Sequence, residues 1–255
     1  HVEHNSRERY TCSKRIQARW LAQRTAHIVG VSDGVKAQLL ALQFPADKVM
    51  SIPNGIALAR FADAPTHPFA QRLPHIVMCA RFSSQKDHLT AIRAMALLRD
   101  AGHSARLIFA GGGKPRHLAR AQALAQSLGL GAQVAFLGLC KDVPQLLMTH
   151  QICLLSTHYE GMPLALIEGM AAGCAVVASD VIGVREVITH GHNGLLAPEG
   201  DAPALAHALG ELLRNPTRAA QLGHAARQAA LQRHGLDLMR QRYEQLLTGA
   251  AAAEK

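Results

Sequence analysis

The chain has 255 residues, of which 49% are hydrophobic and 18% are charged, so it can bury one large core or two smaller ones. The formal net charge of +9 favours acidic partners, such as phosphate-bearing ligands, an anionic membrane face or nucleic acid. No apolar run is long enough to span a bilayer, and aromatic residues make up only 4% of the chain, which argues against a stacking platform for single-stranded nucleic acid. The five cysteines lack metal-ligand spacing, so we predict buried, reduced thiols, no metal site and a cytoplasmic protein.

Strand and helix patterns alternate from the start of the chain, which is typical of parallel sheets covered by helices. The first series predicts, in order, a helix over 13–26, a strand over 26–31, a helix over 32–42 and a strand over 48–52. Residues 57–74 carry three prolines and little periodicity, and we interpret them as a linker between two lobes.

A second series of elements follows this linker and predicts a complete doubly wound unit. Its strands are predicted over 75–80, 106–110, 133–137, 152–155 and 175–178, with a further segment at 194–196. Helices are predicted at about 87–101, before Gly129, and over 142–149, 202–213, 217–233 and 236–248. Ligands of such a unit bind at the carboxyl ends of its strands, where the candidate residues of the next paragraphs lie.

Glu160 and Glu168 flank the start of a predicted helix and are the strongest candidates for a binding role. Pro163 suits the first turn of a helix, so the helix is predicted to begin at Met162 or Pro163. Its unpaired backbone N–H groups and partial positive charge suit a phosphate. Glu168 falls in an apolar stretch, where a carboxylate needs partners such as sugar or ribose hydroxyls. The pair indicates a nucleotide-sugar site, although two glutamates near a helix start also occur by chance.

Two cations follow the strand over 75–80, namely Arg81 and Lys86. Cations in such a loop can hold a diphosphate leaving group and stabilise the charge that develops on it. The alternative is a solvated basic loop.

Two further loops at strand ends offer backbone groups to a ligand. Gly112 and Gly113 open a helix and could let the backbone approach a phosphate, but the stretch lacks the last glycine of the dinucleotide fingerprint, and a plain tight turn is an equal alternative. The loop over 138–143, which ends at Val143, could cradle a base through backbone groups.

Taken in order, these segments resemble the retaining glycosyltransferases of glycosyltransferase family 4, the glycosyl transferases group 1, whose GT-B fold has two Rossmann-like lobes. The resemblance covers nearly the whole chain. The matching segments are Val31–Ser32, Ile52–Ile56, Phe61, Ala80–Lys86, Ala110–Gly113, Phe136–Gly138, Ser156–Gly161, Glu168–Gly173, Gly183, Glu186, Gly194–Leu196 and Pro198.

The resemblance implies an α/β protein of GT-B type, with a doubly wound parallel-sheet donor domain and the C-terminal part of a second Rossmann-like lobe. Residues 1–58 would be what remains of the acceptor-side N-lobe, 59–235 the donor-binding domain, and 236–255 a helix that returns toward the N-lobe. We expect roughly the first hundred residues of the N-lobe to be absent, from typical domain size, and the last helix to be loosely packed without them. The chain also lacks the doubled glycine that relatives carry after Gly183.

The resemblance also implies roles for the candidate residues around the donor phosphates and sugar. Arg81 and Lys86 would bind the donor diphosphate in place of a metal, so no metal or other cofactor is expected. Glu160 would lie near the donor sugar and position and stabilise it rather than attack it. The backbone that contacts the sugar and the distal phosphate would come from Gly161, Met162, Pro163 and Leu164.

At the nucleoside end, Glu168 would accept hydrogen bonds from the ribose hydroxyls, and the loop that includes Val143 would surround the base. His1 would correspond to an N-lobe histidine near the donor sugar. The expected reaction retains the anomeric configuration, with leaving group and acceptor on the same face of the sugar.

The sequence therefore predicts a transferase that moves a sugar from a nucleotide-sugar donor to a glycan, lipopolysaccharide or lipid-linked acceptor. We expect UDP as the nucleotide of the donor, with GDP or ADP as the alternatives. We expect the protein in the cytoplasm, with peripheral contact to the inner face of the membrane. An epimerase or phosphorylase of the same fold, and a nucleotide-sugar-binding module without catalysis, are alternatives. The hypothesis of a nucleic-acid-binding protein rests on the net charge alone, since no helix-turn-helix or RNA-module signature is present.

Overall fold

The structure of the chain is a computed structural model that describes residues 1–4, 12–61 and 68–253. Residues 62–67 of the predicted linker lie outside these ranges. On either side of them, short 3-10 turns cover Leu58–Phe61 and Phe69–Gln71. No helix in the described ranges is both long and apolar enough to cross a membrane.

The described strands form two sheets in which every neighbouring pair is parallel. The three-stranded sheet has the order β1-β2-β3 and the six-stranded sheet the order β6-β5-β4-β7-β8-β9. The strands are β1 (Val2–Glu3), β2 (Ile28–Gly30), β3 (Val49–Ser51), β4 (Leu73–Cys79), β5 (Leu107–Ala110), β6 (Val134–Gly138), β7 (His150–Leu155), β8 (Ala175–Ser179) and β9 (Leu195–Ala197).

Helices connect these strands and cover both faces of the larger sheet. They are α1 (Cys12–Arg24), α2 (Asp33–Ala41), α3 (His88–Asp100), α4 (Pro115–Ser127), α5 (Val143–Met148), α6 (Leu164–Ala171), α7 (Ile182–Arg185), α8 (Ala202–Arg214), α9 (Pro216–Arg233) and α10 (Leu236–Ala253). The predicted elements are confirmed with shifts at their ends. The sequence patterns missed the two-residue strand β1, and α7 lies where only a turn was predicted.

The strands at the centre of the larger sheet are continuously apolar because helices bury them on both sides. Every residue of β7 and β8 is buried. One face packs on α3 and α8, and the other packs on α6 and α9. The core of the second face continues into the smaller sheet through Ile28, Val35 and Phe61, so the two sheets share one apolar core. The sheets fall on either side of the boundary predicted after residue 58, and that boundary itself stays a prediction.

The order of the larger sheet places β4 beside β7 at its centre. From β4 the chain first adds β5 and β6 on one side and then crosses over to add β7, β8 and β9 on the other. In doubly wound sheets this reversal opens a crevice at the carboxyl ends of the two central strands. The loops that leave β4 and β7 therefore border the place where a ligand is expected.

The start of α10 is attached to the chain that follows β3. The backbone N–H of Ile56 donates to the carbonyl of His234 at 2.8 Å, and the N–H of Leu236 donates to the carbonyl of Ile56 at 2.9 Å. Farther along the helix, Leu247 is 67% exposed. The first turn of α10 is thus anchored, and the exposed apolar surface lies toward its end.

The close packing of α9 on the loop before β8 depends on Gly223. A Cβ atom at this position would lie 2.5 Å from the carbonyl oxygen of Gly173, which is backbone and cannot rotate away. We predict that Gly223→Ala lowers the free energy of unfolding by about 1–3 kcal/mol, despite the helix propensity of alanine. Urea denaturation measures this change.

Gly249→Ala is the matched control, because it makes the same substitution in α10 where nothing lies within 4 Å of the new Cβ. It should leave stability unchanged or raise it slightly. Equal stability of the two variants would contradict the packing argument.

Candidate functional site

The loops that follow β4 and β7 are joined side by side by backbone hydrogen bonds. The N–H of Asp87 donates to the carbonyl of Ser156 at 3.0 Å, and the N–H of His158 donates to the carbonyl of Gln85 at 2.9 Å. Lys86 and Thr157 form an antiparallel bridge between the same two loops. Residues that are far apart in sequence are thereby brought together at the crevice of the larger sheet.

Lys86 and Glu160, both singled out from the sequence, form a buried ion pair in these loops. The Lys86 Nζ contacts the Glu160 Oε1, and the two side chains are 14% and 6% exposed. Thr157 Oγ1 also donates to Glu160 Oε1, at 2.8 Å, and Gln85 Nε2 lies 3.4 Å from Oε2. A buried carboxylate is tolerated only with such partners, so Glu160 is held in one orientation.

The sequence patterns did not identify Thr157 and Gln85 as members of the site. Thr157 Oγ1 contacts the carbonyl of Gln85 at 3.2 Å, and Gln85 Nε2 donates to the carbonyl of Tyr159 at 2.7 Å. Both lie in segments that match the family pattern, Gln85 within Ala80–Lys86 and Thr157 within Ser156–Gly161, and this was the available signal. These polar groups fix the loop from which Glu160 projects.

Arg81 lies in the same loop as Lys86 but is exposed. Within the described ranges, its guanidinium has no hydrogen bond or ion pair, in contrast to the Lys86 ammonium. The structure thus offers one paired and one solvent-facing cation at the end of β4.

The glycines after β5 pack directly on this loop. A Cβ at Gly111 would lie 2.2 Å from the carbonyl oxygen of Ala80, and a Cβ at Gly113 would lie 2.4 Å from that of Phe82. The N–H of Phe82 donates to the carbonyl of Gly112 at 2.8 Å. Gly111 and Gly113 therefore have a structural role, which is to let the backbone of the loop after β5 approach the backbone of the loop after β4 closely.

Helix α6 begins at Leu164, just after the range predicted for its start. Pro163 occupies the position before the helix, with ψ of 77°, and no side chain caps the N-terminus. In the described part of the chain, no acceptor is hydrogen-bonded to the backbone N–H of Gly161 or Met162, although both residues are buried. Buried free N–H groups are costly, and an anionic ligand would satisfy them.

Glu168 lies in the second turn of α6 and is partly buried. Burial raises the pKa of its carboxyl group, and the positive charge of Arg60 opposes this shift. The carboxylate accepts no hydrogen bond from any residue that the structure describes. Its oxygens are thus available to hydroxyl donors.

The turn formed by Glu160 and Gly161 touches the smaller sheet. A Cβ at Gly161 would lie 2.1 Å from the carbonyl oxygen of His4 and 3.4 Å from Val31 Cγ2. His4 directly follows β1, so the carboxyl end of the smaller sheet faces this turn. The site is consequently enclosed from both lobes.

His1, which was expected beside the donor sugar, lies at the opposite end of β1. Its ring is 52% exposed, with Nε2 3.7 Å from the carboxylate of Glu3. It borders a cavity formed by α1, β2 and Phe44. Because β1 is so short, two histidines three positions apart fall at opposite ends of it, and the structure brings His4 rather than His1 to the Glu160–Gly161 turn.

Val143 is the first residue of α5 and packs against the apolar core. Asp142 caps this helix by accepting a hydrogen bond from the N–H of Gln145 at 3.1 Å. In the loop before it, Leu139 is 85% exposed and would lie 3.1 Å from a Cβ at Gly112. This edge of the crevice is apolar and open, which suits a flat ring.

The groups around the crevice suit an anionic ligand. Across the described residues, no group of three or more His, Cys, Asp or Glu side chains is placed to hold a metal ion. The available groups are cations, free backbone N–H groups and a carboxylate without a partner. Together they can bind phosphates at one end and hydroxyls at the other.

The model of the family described as Glycosyl transferases group 1 matches residues 60–229, which is more than half of the chain. EpsD of Bacillus subtilis (strain 168), a protein named for a glycosyltransferase function, is 32% identical over 224 residues, covering 84% of this chain and 58% of EpsD. The phosphatidyl-myo-inositol mannosyltransferase of Mycobacterium leprae (strain TN) is 30% identical over 171 residues, covering 65% of this chain and 44% of that protein. The chain thus spans less than two thirds of the length of these curated relatives.

Solved structures with the same fold include Anabaena Alr3699/HepE in complex with UDP. It has a TM-score of 0.88 and 20% identity, covering 97% of this chain and 71% of that chain. The complex of the same protein with UDP-glucose has a TM-score of 0.86 and 21% identity, covering 97% and 72%. These similarities confirm the predicted α/β fold of GT-B type with a Rossmann-like lobe.

The raised pKa of Glu168 leads to a prediction about stability. The folded protein favours the protonated carboxyl, so the stability that Glu168 contributes is complete below its ordinary pKa of 4.5 and is lost as the pH rises through the folded value. We predict that Glu168→Gln, which keeps the shape without the charge, unfolds at higher urea concentration than the wild type at pH 7.

The difference should disappear below about pH 4.5, where the wild-type carboxyl is protonated as well. A Glu168→Gln variant that is less stable than the wild type at pH 7 would show that the ionised carboxylate is a stabilising group.

Proposed function

The chain belongs to the glycosyl transferases group 1 family, and we propose that it is the donor-binding part of a retaining family 4 glycosyltransferase that uses a nucleotide-sugar. The observation that carries this proposal is the arrangement around Glu160. Its carboxylate is fixed by Lys86, next to the N–H groups of Gly161 and Met162, and the carboxylate of Glu168 follows one helical turn later. Among the residues that the structure describes, neither these N–H groups nor the Glu168 carboxylate has a hydrogen-bond partner.

The diphosphate of the donor would lie between the end of β4 and the start of α6. Arg81, which is exposed, and Lys86 would supply positive charge, and the backbone N–H groups of Gly161 and Met162 would supply directed donors. The backbone of Gly112 and Gly113 would approach the phosphates beside Arg81. These groups would stabilise the charge on the leaving diphosphate without a metal or other cofactor.

The donor sugar would lie beside Glu160, against the backbone of Gly161 to Leu164. The Glu160 carboxylate contacts Lys86, Thr157 and Gln85 at once. This argues that it positions the sugar and stabilises it electrostatically rather than attacking it covalently. A positive charge that develops on the sugar would be stabilised by this fixed carboxylate. The acceptor would then enter on the face from which the diphosphate leaves, which retains the anomeric configuration.

The nucleoside would extend toward Glu168 and the loop before α5. Glu168 would accept hydrogen bonds from the ribose hydroxyls, which would satisfy its oxygens in the partly buried position. The base would pack near Leu139, Gly112 and Val143. We propose UDP as the nucleotide, because HepE, which shares the fold, was crystallised with UDP and with UDP-glucose.

A glycan or lipid-linked acceptor is proposed from the names of similar proteins. The amylovoran biosynthesis glycosyltransferase AmsK of Erwinia amylovora is 57% identical over 47 residues, covering 18% of this chain and 12% of AmsK. A catalytically incomplete nucleotide-sugar-binding module is the second candidate, since the chain spans 58% of EpsD. Turnover of the sugar, as opposed to binding alone, separates the two.

We predict that the chain binds UDP saturably in a calorimetric titration and binds GDP and ADP more weakly. Glu168→Ala removes the acceptor for the ribose hydroxyls and should weaken UDP binding about tenfold to a hundredfold, the range for hydrogen bonds to a charged group. Glu211→Ala, in α8, is the matched control and should bind UDP like the wild type. A folded chain that binds none of the three nucleotides would overturn the proposed donor site.

Peripheral membrane contact is a separate proposal, supported by α1. This helix carries four cations and no acidic residue, and its apolar side chains Ile16, Trp20 and Leu21 are 66%, 55% and 57% exposed. The Arg24 guanidinium lies 3.7 Å above the Trp20 ring. A basic helix with an exposed aromatic and aliphatic face suits the headgroup region of an anionic bilayer.

We predict that the chain co-sediments with vesicles containing phosphatidylglycerol at low salt, but not with vesicles of phosphatidylcholine alone. Trp20→Ser should reduce the bound fraction several-fold, because burial of the ring contributes to interfacial binding. Leu231→Ser, which changes an exposed apolar residue of α9, is the control and should bind normally. Equal sedimentation of both variants would rule out α1 as the contact.

A further inference from the structure

Glu186, which follows α7 in the larger lobe, has a carboxylate that caps a helix of the smaller lobe. Its Oε2 accepts a hydrogen bond from the N–H of Asp33 at 2.8 Å, and its Oε1 accepts one from the N–H of Gly34 at 2.6 Å. These donors are the first two N–H groups of α2, and Ser32 Oγ accepts from the next, Val35, at 3.2 Å. The acceptors for the first three N–H groups of α2 thus come from both lobes.

The contact is close enough to require glycine on the smaller lobe. A Cβ at Gly34 would lie 2.4 Å from Ile182 Cγ2 and 2.7 Å from Glu186 Oε1. A carboxylate at a helix N-terminus gains from two charge-assisted hydrogen bonds and from the helix dipole. The capping interaction therefore holds α7 against α2.

Gly183, three residues before Glu186 in α7, touches the candidate site. A Cβ at Gly183 would lie 2.5 Å from the carbonyl oxygen of Glu160 and 2.7 Å from that of Gly161. The same turn packs on the carbonyl of His4. The backbone of Glu160 and Gly161 is consequently held between α7 and the smaller lobe, and Glu186 connects these two supports.

We propose that Glu186 is a positioning residue. Its two hydrogen bonds to the start of α2, here called the clasp, hold the two lobes together and thereby fix the turn that carries Glu160. The effect of the clasp on sugar transfer rests on the proposed function. The existence of the clasp is independent of that function. A cavity of about 340 Å³ beside the clasp is lined by side chains of both lobes, including Asp33, Arg233 and Arg242. Loss of the cap would let the lobes separate along this cavity.

The first test measures the clasp without any substrate. We expect Glu186→Ala to accelerate hydrogen exchange at the amides of Asp33 and Gly34 by roughly tenfold or more, because both lose a charged acceptor. Amides in β7, which lie in the shared core, should keep their exchange rates, which shows that the protein stays folded. Unchanged exchange at Asp33 and Gly34 would overturn the clasp.

The second test measures its effect on the site, with a UDP-sugar as donor. We expect Glu186→Ala to lower kcat about tenfold, with a smaller rise in KM for the donor and a smaller loss of UDP affinity. Gly161 lies in the turn that Glu186 supports, whereas Glu168, Arg81 and Lys86 remain in place. Glu186→Gln keeps one acceptor oxygen and should recover part of kcat. Glu211→Ala is the matched control and should behave as wild type.

The outcomes distinguish the two proposals. If the wild type does not bind UDP, the proposed function fails, and the exchange experiment still decides whether the clasp exists. If the amides of Asp33 and Gly34 exchange faster in Glu186→Ala but kcat is unchanged, the clasp stands and its positioning role is overturned.

Discussion

The buried contact between Lys86 and Glu160 is the interaction on which the site depends. Breaking such a pair by removing one partner typically costs about 3–5 kcal/mol, because a charge is left buried alone. The pair forms because β4 and β7 are neighbours at the centre of the larger sheet, where the strand order reverses. Thr157 and Gln85 are further partners of Glu160, and the backbone bonds between the two loops hold all four residues in place. The strand order of the sheet thus determines which residues meet in the crevice.

Glycines at three close backbone contacts support the loops around the ion pair. Gly113 lets the loop after β5 rest on the loop that carries Arg81, and Gly161 lets the Glu160 turn rest on His4. Gly183 then lets α7 rest on the same turn. Each position brings backbone against backbone, where any side chain would force a displacement. The catalytic geometry proposed for Glu160 is therefore supported on several sides by contacts that leave no room for a methyl group.

The alternation of strand and helix could be predicted from the sequence, because it depends on local periodicity, and the GT-B type fold was implied by the resemblance to the family. The role of Glu160 stays a prediction. The pairing of Lys86 with Glu160 could not be predicted, since it depends on which strands are neighbours. The role expected of His1 stays a prediction, and its position in the fold could not be predicted because a two-residue strand gives no periodic signal. Glu186 matched the family pattern, but nothing in its neighbourhood indicates a partner on α2, far away in the chain. The roles of Arg81, Glu168 and Val143 stay predictions.

The most direct test of the donor site is an amide NMR titration of the isotopically labelled chain with UDP. A ligand bound in the crevice must change the environment of the free N–H groups at the start of α6. We expect the largest shifts at Gly161 and Met162, with further shifts at Gly112, Gly113 and the residues around Val143. Shifts confined to α1 and the cavity beside His1, or none in a folded chain, would contradict a donor site between β4 and β7.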